Sequence, residues 1–125
     1  MVKKRILIID DEEEFTRLIK LNLEQSGAYE VKVENRGERG LSAALEFNPD
    51  LILLDVIMPE VDGGDVFYQL KNNKNTADIP VIFLTAAVNK DELEGKHGML
   101  GGHLFVAKPV EIKHLIYFIE TNIRK

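Results

Sequence analysis

The aliphatic run Leu51–Leu54 ends on a single carboxylate, Asp55, and it constrains the fold more than any other stretch of the chain. An apolar run without polar alternation, closed a few residues later by Pro59, is typical of a strand that is buried on both faces of a parallel sheet. Asp55 would then lie at the carboxyl edge of that sheet. Ligands bind at this edge in open parallel sheets, so Asp55 is a candidate for chemistry and not only for a turn.

Further short apolar runs predict additional strands, and amphipathic segments separate them. The predicted strands are Ile6–Ile9, Tyr29–Glu34, Leu51–Asp55, Val81–Leu84 and His103–Ala107. The predicted helices run from Phe15 to a stop at Ser26-Gly27, and then over Leu41–Phe47, Val66–Leu70, Lys90–Lys96 and Ile112–Ile123. This alternation predicts a single doubly wound α/β domain over residues 1–125, with a five-stranded parallel sheet and five helices.

Two of these segments carry a more specific expectation. Tyr29–Glu34 alternates apolar with polar residues, which predicts a half-buried edge strand outside the first strand. The segment Lys90–Lys96 has little apolar character besides Leu93, and glycines follow it, so we expect a short or mobile element there.

Length and composition exclude several classes of protein. A chain of 125 residues, 45% apolar and 30% charged, has the size and composition of one globular domain. The net charge of -5 and the scattered basic residues argue against direct binding to nucleic acid. No cysteine is present, which excludes disulfides and thiolate chemistry. The basic start leads into only Ile6–Ile9, too short for an export signal, so a cytoplasmic protein is expected.

Polar residues stand at the ends of four predicted strands, and parallel strands bring those ends to one edge. They are Asp10, Asp11, Asp55, Thr85 and Lys108. Clustered carboxylates repel one another, and a hard divalent cation with oxygen ligands relieves that repulsion; the pattern predicts Mg2+. A hydroxyl and an ammonium beside them can bind anionic oxygens. The set predicts a carboxylate nucleophile, Asp55, that attacks phosphorus, with Thr85 and Lys108 contacting the transferred group.

The acids that follow the first pair have a simpler interpretation. Glu12, Glu13 and Glu14 open the first predicted helix, where the helix dipole favours negative charge. We therefore interpret all three as residues of the helix start and not of the site.

These motifs resemble the receiver (response-regulator) domain of two-component signalling, and the resemblance extends from Lys4 to the last helix. The residues that match the family's motifs are Asp10-Asp11, the phosphoacceptor context Asp55-Val56-Ile57-Met58-Pro59-Glu60-Val61-Asp62-Gly63, Thr85-Ala86 and Lys108-Pro109. The resemblance implies a flavodoxin-like fold with strand order 2-1-3-4-5.

It also implies the function. Asp55 would accept a phosphoryl group from a histidine kinase or phosphotransfer protein, and the chain would be a signalling switch that catalyses only its own phosphorylation and dephosphorylation. The implied ligands of Mg2+ are Asp10, Asp11, Asp55 and the backbone carbonyl of Ile57. The cognate kinase, the signal, the output domain or effector, and a phosphorylation-dependent homodimer all stay open, as does whether the chain is part of a longer regulator.

The resemblance also implies a conformational switch. Phe105 occupies the position of the family's switch aromatic, and Thr85 would move toward the phosphoryl oxygens and vacate space that Phe105 fills. A cis Lys108-Pro109 bond is implied as well. The chain departs from the family at Gly101-Gly102-His103-Leu104, where acids are usual. The histidines show no metal spacing and are expected to be exposed: His97, His103 and His114.

Two further positions would tune dephosphorylation. By the resemblance Ile57 and Ala87, two residues after Asp55 and Thr85, lie beside the attacking water. Neither side chain can hold that water in line, and Ile57 should shield the phosphoryl group, so a long-lived phosphorylated state is expected.

Two other classes remain as alternatives. A haloacid-dehalogenase-like phosphatase needs a second acid two residues after the nucleophile, where this chain has Ile57. A flavodoxin-like FMN-binding module needs a glycine- and hydroxyl-rich phosphate loop after the first strand, where this chain has acids. Both are disfavoured.

Overall fold

The computed structural model describes residues 2–86, 99–100 and 103–124. Its strands are β1 (Lys4–Ile9), β2 (Tyr29–Glu34), β3 (Leu51–Asp55), β4 (Val81–Thr85), β5 (Met99–Leu100) and β6 (His103–Ala107). The helices in these ranges are α1 (Glu13–Gln25), α2 (Gly40–Phe47), α3 (Gly63–Lys71) and α4 (Ile112–Asn122), with a 3-10 turn at Gly37–Arg39. The predicted helix over Lys90–Lys96 lies outside the described residues.

Five of the strands pair in parallel in the order β2-β1-β3-β4-β6, which confirms the predicted order 2-1-3-4-5 and the flavodoxin-like doubly wound fold. As predicted, β2 lies outside β1. The two-residue strand β5 adds an antiparallel edge to β6, with Met99 opposite Leu104, and it was not predicted. Two apolar residues are too few to show either a strand or a helix period.

The sheet is covered on both faces, which is why its central strands are continuously apolar. Successive side chains of β3 point to opposite faces, and all of Leu51–Leu54 are fully buried. Leu51 and Leu53 pack in the cluster that includes α1 and α4, whereas Ile52 and Leu54 pack in the cluster with α2 and α3. The prediction of a strand buried on both faces is confirmed.

The end of α4 is tied to the amino edge of the sheet. The backbone N–H of Arg124 donates to the carbonyl of Asp50 at 3.2 Å, and its guanidinium lies 3.9 Å from the Asp50 carboxylate. The same carboxylate accepts a hydrogen bond from the backbone N–H of Arg5 at 2.9 Å. In the part of the chain that the structure describes, no helix has the length and apolar character needed to cross a membrane.

Candidate functional site at the carboxyl edge

Three carboxylates meet where β1 and β3 end. Asp10 is fully buried, Asp55 is 4% exposed and Asp11 is half-buried. One oxygen from each of the three lies within 4.8 Å of the others. The parallel pairing of β1 with β3 places the two strand ends side by side, so the gathering of these acids follows from the register.

Asp10 is held by contacts that fix both its backbone and its side chain. Its Oδ1 accepts a hydrogen bond from the backbone N–H of Glu12 at 3.0 Å. Its carbonyl accepts from the Asn35 side chain at 2.8 Å, and the same Asn35 nitrogen donates to the Thr16 hydroxyl at 3.0 Å. Asn35 therefore joins the end of β1 to the first turns of α1. It was absent from the predicted site, although its position directly after β2 at the carboxyl edge is a signal for it.

Lys108 contacts the acids from the end of β6. Its Nζ lies 2.7 Å from Asp10 Oδ2, 2.5 Å from Glu12 Oε1 and 3.8 Å from Asp55 Oδ2. It also lies 4.5 Å from the ring centroid of Phe15, within range of a cation–π interaction. The implied cis bond to Pro109 is present.

The interpretation of Glu12 as a residue of the helix start alone was wrong. Glu12 is the N-cap of α1 in an extended conformation, but its side chain makes no capping hydrogen bond, and its carboxylate pairs with Lys108 instead. The acids of the first helical turn are Glu13 and Glu14. The dipole argument applies to any acid near a helix start, so it did not separate Glu12 from the two that follow.

Burial and mutual repulsion shift the proton affinities of the site. Burial, followed by the negative charge of Asp10, raises the pKa of Asp55 to about 6, against the opposing attraction of Lys108. Burial also raises the pKa of Asp10, and its hydrogen bond with Lys108 only partly offsets the effect. Burial alone would lower the pKa of Lys108, but hydrogen bonds to Asp10 and Glu12 raise it above the ordinary value. The lysine therefore stays charged.

The three clustered carboxylates carry more negative charge than the Lys108 ammonium beside them can neutralise, and this excess favours the binding of a cation. Asp10, Asp11 and Asp55 supply oxygen donors close enough to share an ion, and carboxylate oxygens are the ligands of hard divalent cations. The cluster could hold a metal, and a bound cation would offset the repulsion that raises the pKa of Asp55.

The loop after β3 approaches Asp55 closely. The backbone N–H of Ile57 donates to Asp55 Oδ1 at 3.4 Å, and the Ile57 side chain is 63% exposed. The backbone of Gly63 lies against the strand end, because a Cβ there would come within 2.3 Å of the Asp55 carbonyl oxygen. Ala87, the other residue expected to tune dephosphorylation, lies outside the described residues.

Thr85 and Phe105 lie on the same face of the sheet. Thr85 is 1% exposed at the end of β4, two residues after Phe83, so their side chains point the same way. Phe105 is the register partner of Phe83, and the two rings stack at 5.0 Å between centroids. Phe105 is half-buried and packs against the apolar cluster that includes residues of α2 and α3. His103 and His114 are exposed, as expected, and His97 lies outside the described residues.

A parallel sheet in this order, with an acidic cluster and a lysine at its carboxyl edge, defines the class of receiver-type signalling domains. The family model of the response regulator receiver domain matches residues 6–120, and the chain belongs to this family. It is therefore a receiver domain of the kind found in response regulators, the phosphoacceptor switches of two-component signalling. This membership leaves the phosphatase and FMN-binding alternatives without support.

Named relatives agree with the family. The chain is 36% identical over 122 residues to RpaA of Synechocystis sp., a DNA-binding dual master transcriptional regulator. The aligned residues are 97% of this chain and 49% of RpaA. It is 35% identical over 125 residues to the alkaline phosphatase synthesis transcriptional regulatory protein PhoP of Bacillus subtilis. That alignment covers 99% of this chain and 50% of PhoP. The signal receiver domain of a DNA-binding response regulator from Colwellia psychrerythraea 34H has 27% identity and a TM-score of 0.77, with 95% and 97% covered. The chain spans about half the length of the two regulators.

Proposed function

We propose that residues 1–125 form one receiver domain in which Asp55 accepts a phosphoryl group from a phosphohistidine of a histidine kinase or phosphotransfer protein. The observation that carries this proposal is the Asp55 carboxylate, which ends a fully buried strand 3.8 Å from the Lys108 ammonium and within an acidic cluster. An Asp55 oxygen attacks phosphorus, the P–N bond breaks, and the imidazole leaves as an acyl phosphate forms on Asp55.

The metal in this proposal is Mg2+, held by Asp10, Asp11, Asp55 and the backbone carbonyl of Ile57. The three carboxylates support it, because they offer hard oxygen donors within 4.8 Å of one another. When bound, the ion neutralises charge on the phosphoryl oxygens.

Two of the chain's own residues contact the phosphoryl group in this proposal. Lys108 pairs with one phosphoryl oxygen, and the hydroxyl of Thr85 donates to another. Asp55 attacks as the carboxylate, and its pKa of about 6 leaves it mostly ionised at neutral pH.

Thr85 and Phe105 form the switch. As Thr85 turns toward the phosphoryl oxygens, Phe105 moves into the vacated space, and the surface of β6 and α4 changes. The shared sheet face and the stacking of Phe105 on Phe83 support this coupling.

The remaining partners follow from the two-component assignment. An output domain or a separate effector protein reads the changed surface, in the cytoplasm, and a phosphorylation-dependent homodimer is one form that the readout can take. RpaA and PhoP are transcriptional regulators by name. The net charge of -5 favours a protein over nucleic acid as the direct partner of this domain.

Acetyl phosphate with Mg2+, with and without EDTA, tests the assignment by intact-protein mass spectrometry. We expect one phosphoryl group on the wild type with Mg2+, none with EDTA and none on Asp55→Asn. Asp65→Asn is the matched control, because Asp65 is exposed on α3 and should leave uptake unchanged. The same samples should show NMR shift changes over residues 103–118.

Stoichiometric, base-labile phosphorylation of Asp55→Asn would refute the role of Asp55. Unchanged shifts over residues 103–118 in a fully phosphorylated sample would refute the switch.

A further inference from the structure

The ammonium of Lys108 is placed closer to Glu12 than to the proposed phosphoacceptor. Its Nζ lies 2.5 Å from Glu12 Oε1 but 3.8 Å from Asp55 Oδ2. Glu12 reaches it from the N-cap of α1, across 96 residues of sequence. The distances show that Lys108 is committed to other acids before any phosphoryl group is present.

The position of Lys108 is fixed from several sides. Asp10 Oδ2 lies 2.7 Å from its Nζ in an ion pair, and the Phe15 ring centroid lies 4.5 Å from Nζ. The lysine side chain is 9% exposed, whereas that of Glu12 is 59% exposed. Glu12 is therefore the solvent-facing partner of Lys108. The ion pair between Glu12 and Lys108 can open without leaving a buried carboxylate unpaired, whereas the pair between Asp10 and Lys108 cannot.

We propose that Glu12 is a positioning residue that holds Lys108 aside in the unphosphorylated protein, so that this ion pair must open before the ammonium can contact phosphoryl oxygens on Asp55. The proposal rests on the proposed function of Asp55 as phosphoacceptor. Glu12 slows phosphorylation because part of the stabilisation that Lys108 gives to the transferred group is offset by the lost pair.

Glu12→Gln tests the proposal, with Glu13→Gln as the matched control. Glu13 is the next residue, is exposed, and lies in the first turn of α1, so the control removes the same charge without touching the pair. At saturating Mg2+ we expect Glu12→Gln to be phosphorylated by acetyl phosphate about two- to fivefold faster than wild type, the range expected for a partly exposed ion pair. Glu13→Gln should match the wild type.

Glu12→Asp separates the contact from the charge. It keeps the negative charge but shortens the side chain by one methylene, so the carboxylate no longer reaches Nζ and the rate should rise as in Glu12→Gln. A wild-type rate for Glu12→Asp would show that charge alone matters and would overturn the proposal, as would equal rates for Glu12→Gln and Glu13→Gln.

A second readout needs neither metal nor phosphodonor. The side-chain 15N and 13Cε NMR signals of Lys108 in metal-free protein should shift in Glu12→Gln and stay in place in Glu13→Gln. An unchanged Lys108 signal in Glu12→Gln would overturn the ion pair itself. If the Lys108 signal shifts in Glu12→Gln as expected but the wild type accepts no phosphoryl group from acetyl phosphate, the proposed function would be overturned instead.

Discussion

At the residue scale, we expect Ile57 to prolong the phosphorylated state. Its backbone N–H contacts the Asp55 carboxylate, and its side chain is exposed. An isoleucine cannot hold a water in line with phosphorus. We expect Ile57→Asn to lose its phosphoryl group several-fold faster than a wild type that decays over many minutes or longer, because an amide can orient that water.

Loss of label from purified phosphoprotein in excess Mg2+ measures this lifetime. Leu45→Asn is the control, since it makes a comparable change at a partly exposed position on α2. A wild-type half-life of seconds would refute the expectation. So would an unchanged rate when Ile57→Asn is combined with Ala87→Glu.

The sequence predicted the strand-end residues of the site better than the residues that hold them. Asp10, Asp55 and Lys108 were found because each ends or follows an apolar run, and parallel strands bring such ends together. Glu12 and Asn35 were missed because their roles depend on side-chain reach across separate elements. No local period or propensity records such a contact.

At the scale of elements, the join between β3 and α3 depends on Gly63. A Cβ at this position would lie 2.3 Å from the Asp55 carbonyl oxygen and 2.7 Å from Val56 Cα, both backbone atoms that cannot move aside cheaply. We expect Gly63→Ala to lower the free energy of unfolding by about 1–3 kcal/mol or more, because α3 must shift away from the strand end. Urea denaturation measures the change.

Gly64→Ala is the matched control for this substitution. Its Cβ would meet only the side-chain oxygen of Asp62, at 3.2 Å, and alanine favours a helix over glycine by roughly 1 kcal/mol. Its stability should stay near that of the wild type or rise. Equal losses in the two variants would contradict the steric argument.

Strands that are buried on both faces can be predicted from the sequence, whereas a very short edge strand cannot. β3 and its neighbours were predicted within about two residues because burial on both faces gives an unbroken apolar run. β5 was not predicted, because a strand of two residues is too short to show a period of two in the sequence. The start of α3 is set by the Asp62 side chain, which accepts from the Gly64 N–H at 2.7 Å, a local signal one residue before the helix.

At the scale of the whole molecule, the buried site costs stability at neutral pH. The pKa of Asp55 rises from 3.8 to about 6 on folding, so the folded protein is favoured where Asp55 is protonated. This contribution is fully present below about pH 4 and is lost as the pH rises through about 6. Asp55→Asn keeps the residue uncharged, so we expect it to be roughly 2–3 kcal/mol more stable than the wild type at pH 7 without metal.

Denaturant unfolding in EDTA at pH 7 and at pH 4 measures the effect. The advantage of Asp55→Asn should shrink toward zero at pH 4, because the wild-type carboxyl is then largely protonated in the folded protein. Asp65→Asn, which changes an exposed acid, should show little pH-dependent difference. A less stable Asp55→Asn at pH 7 would contradict the electrostatic account.

The anchoring of Arg124 at Asp50 also decides where a reporter can be attached. Asp50 precedes β3 and Asp55 ends it, so the two lie about one strand length apart, roughly 16 Å at 3.3 Å per residue. A fluorophore joined after Arg124 is thus kept at the opposite end of the sheet from the carboxylates. From there it can sense a displacement of α4 while leaving the approach of a phosphodonor unobstructed.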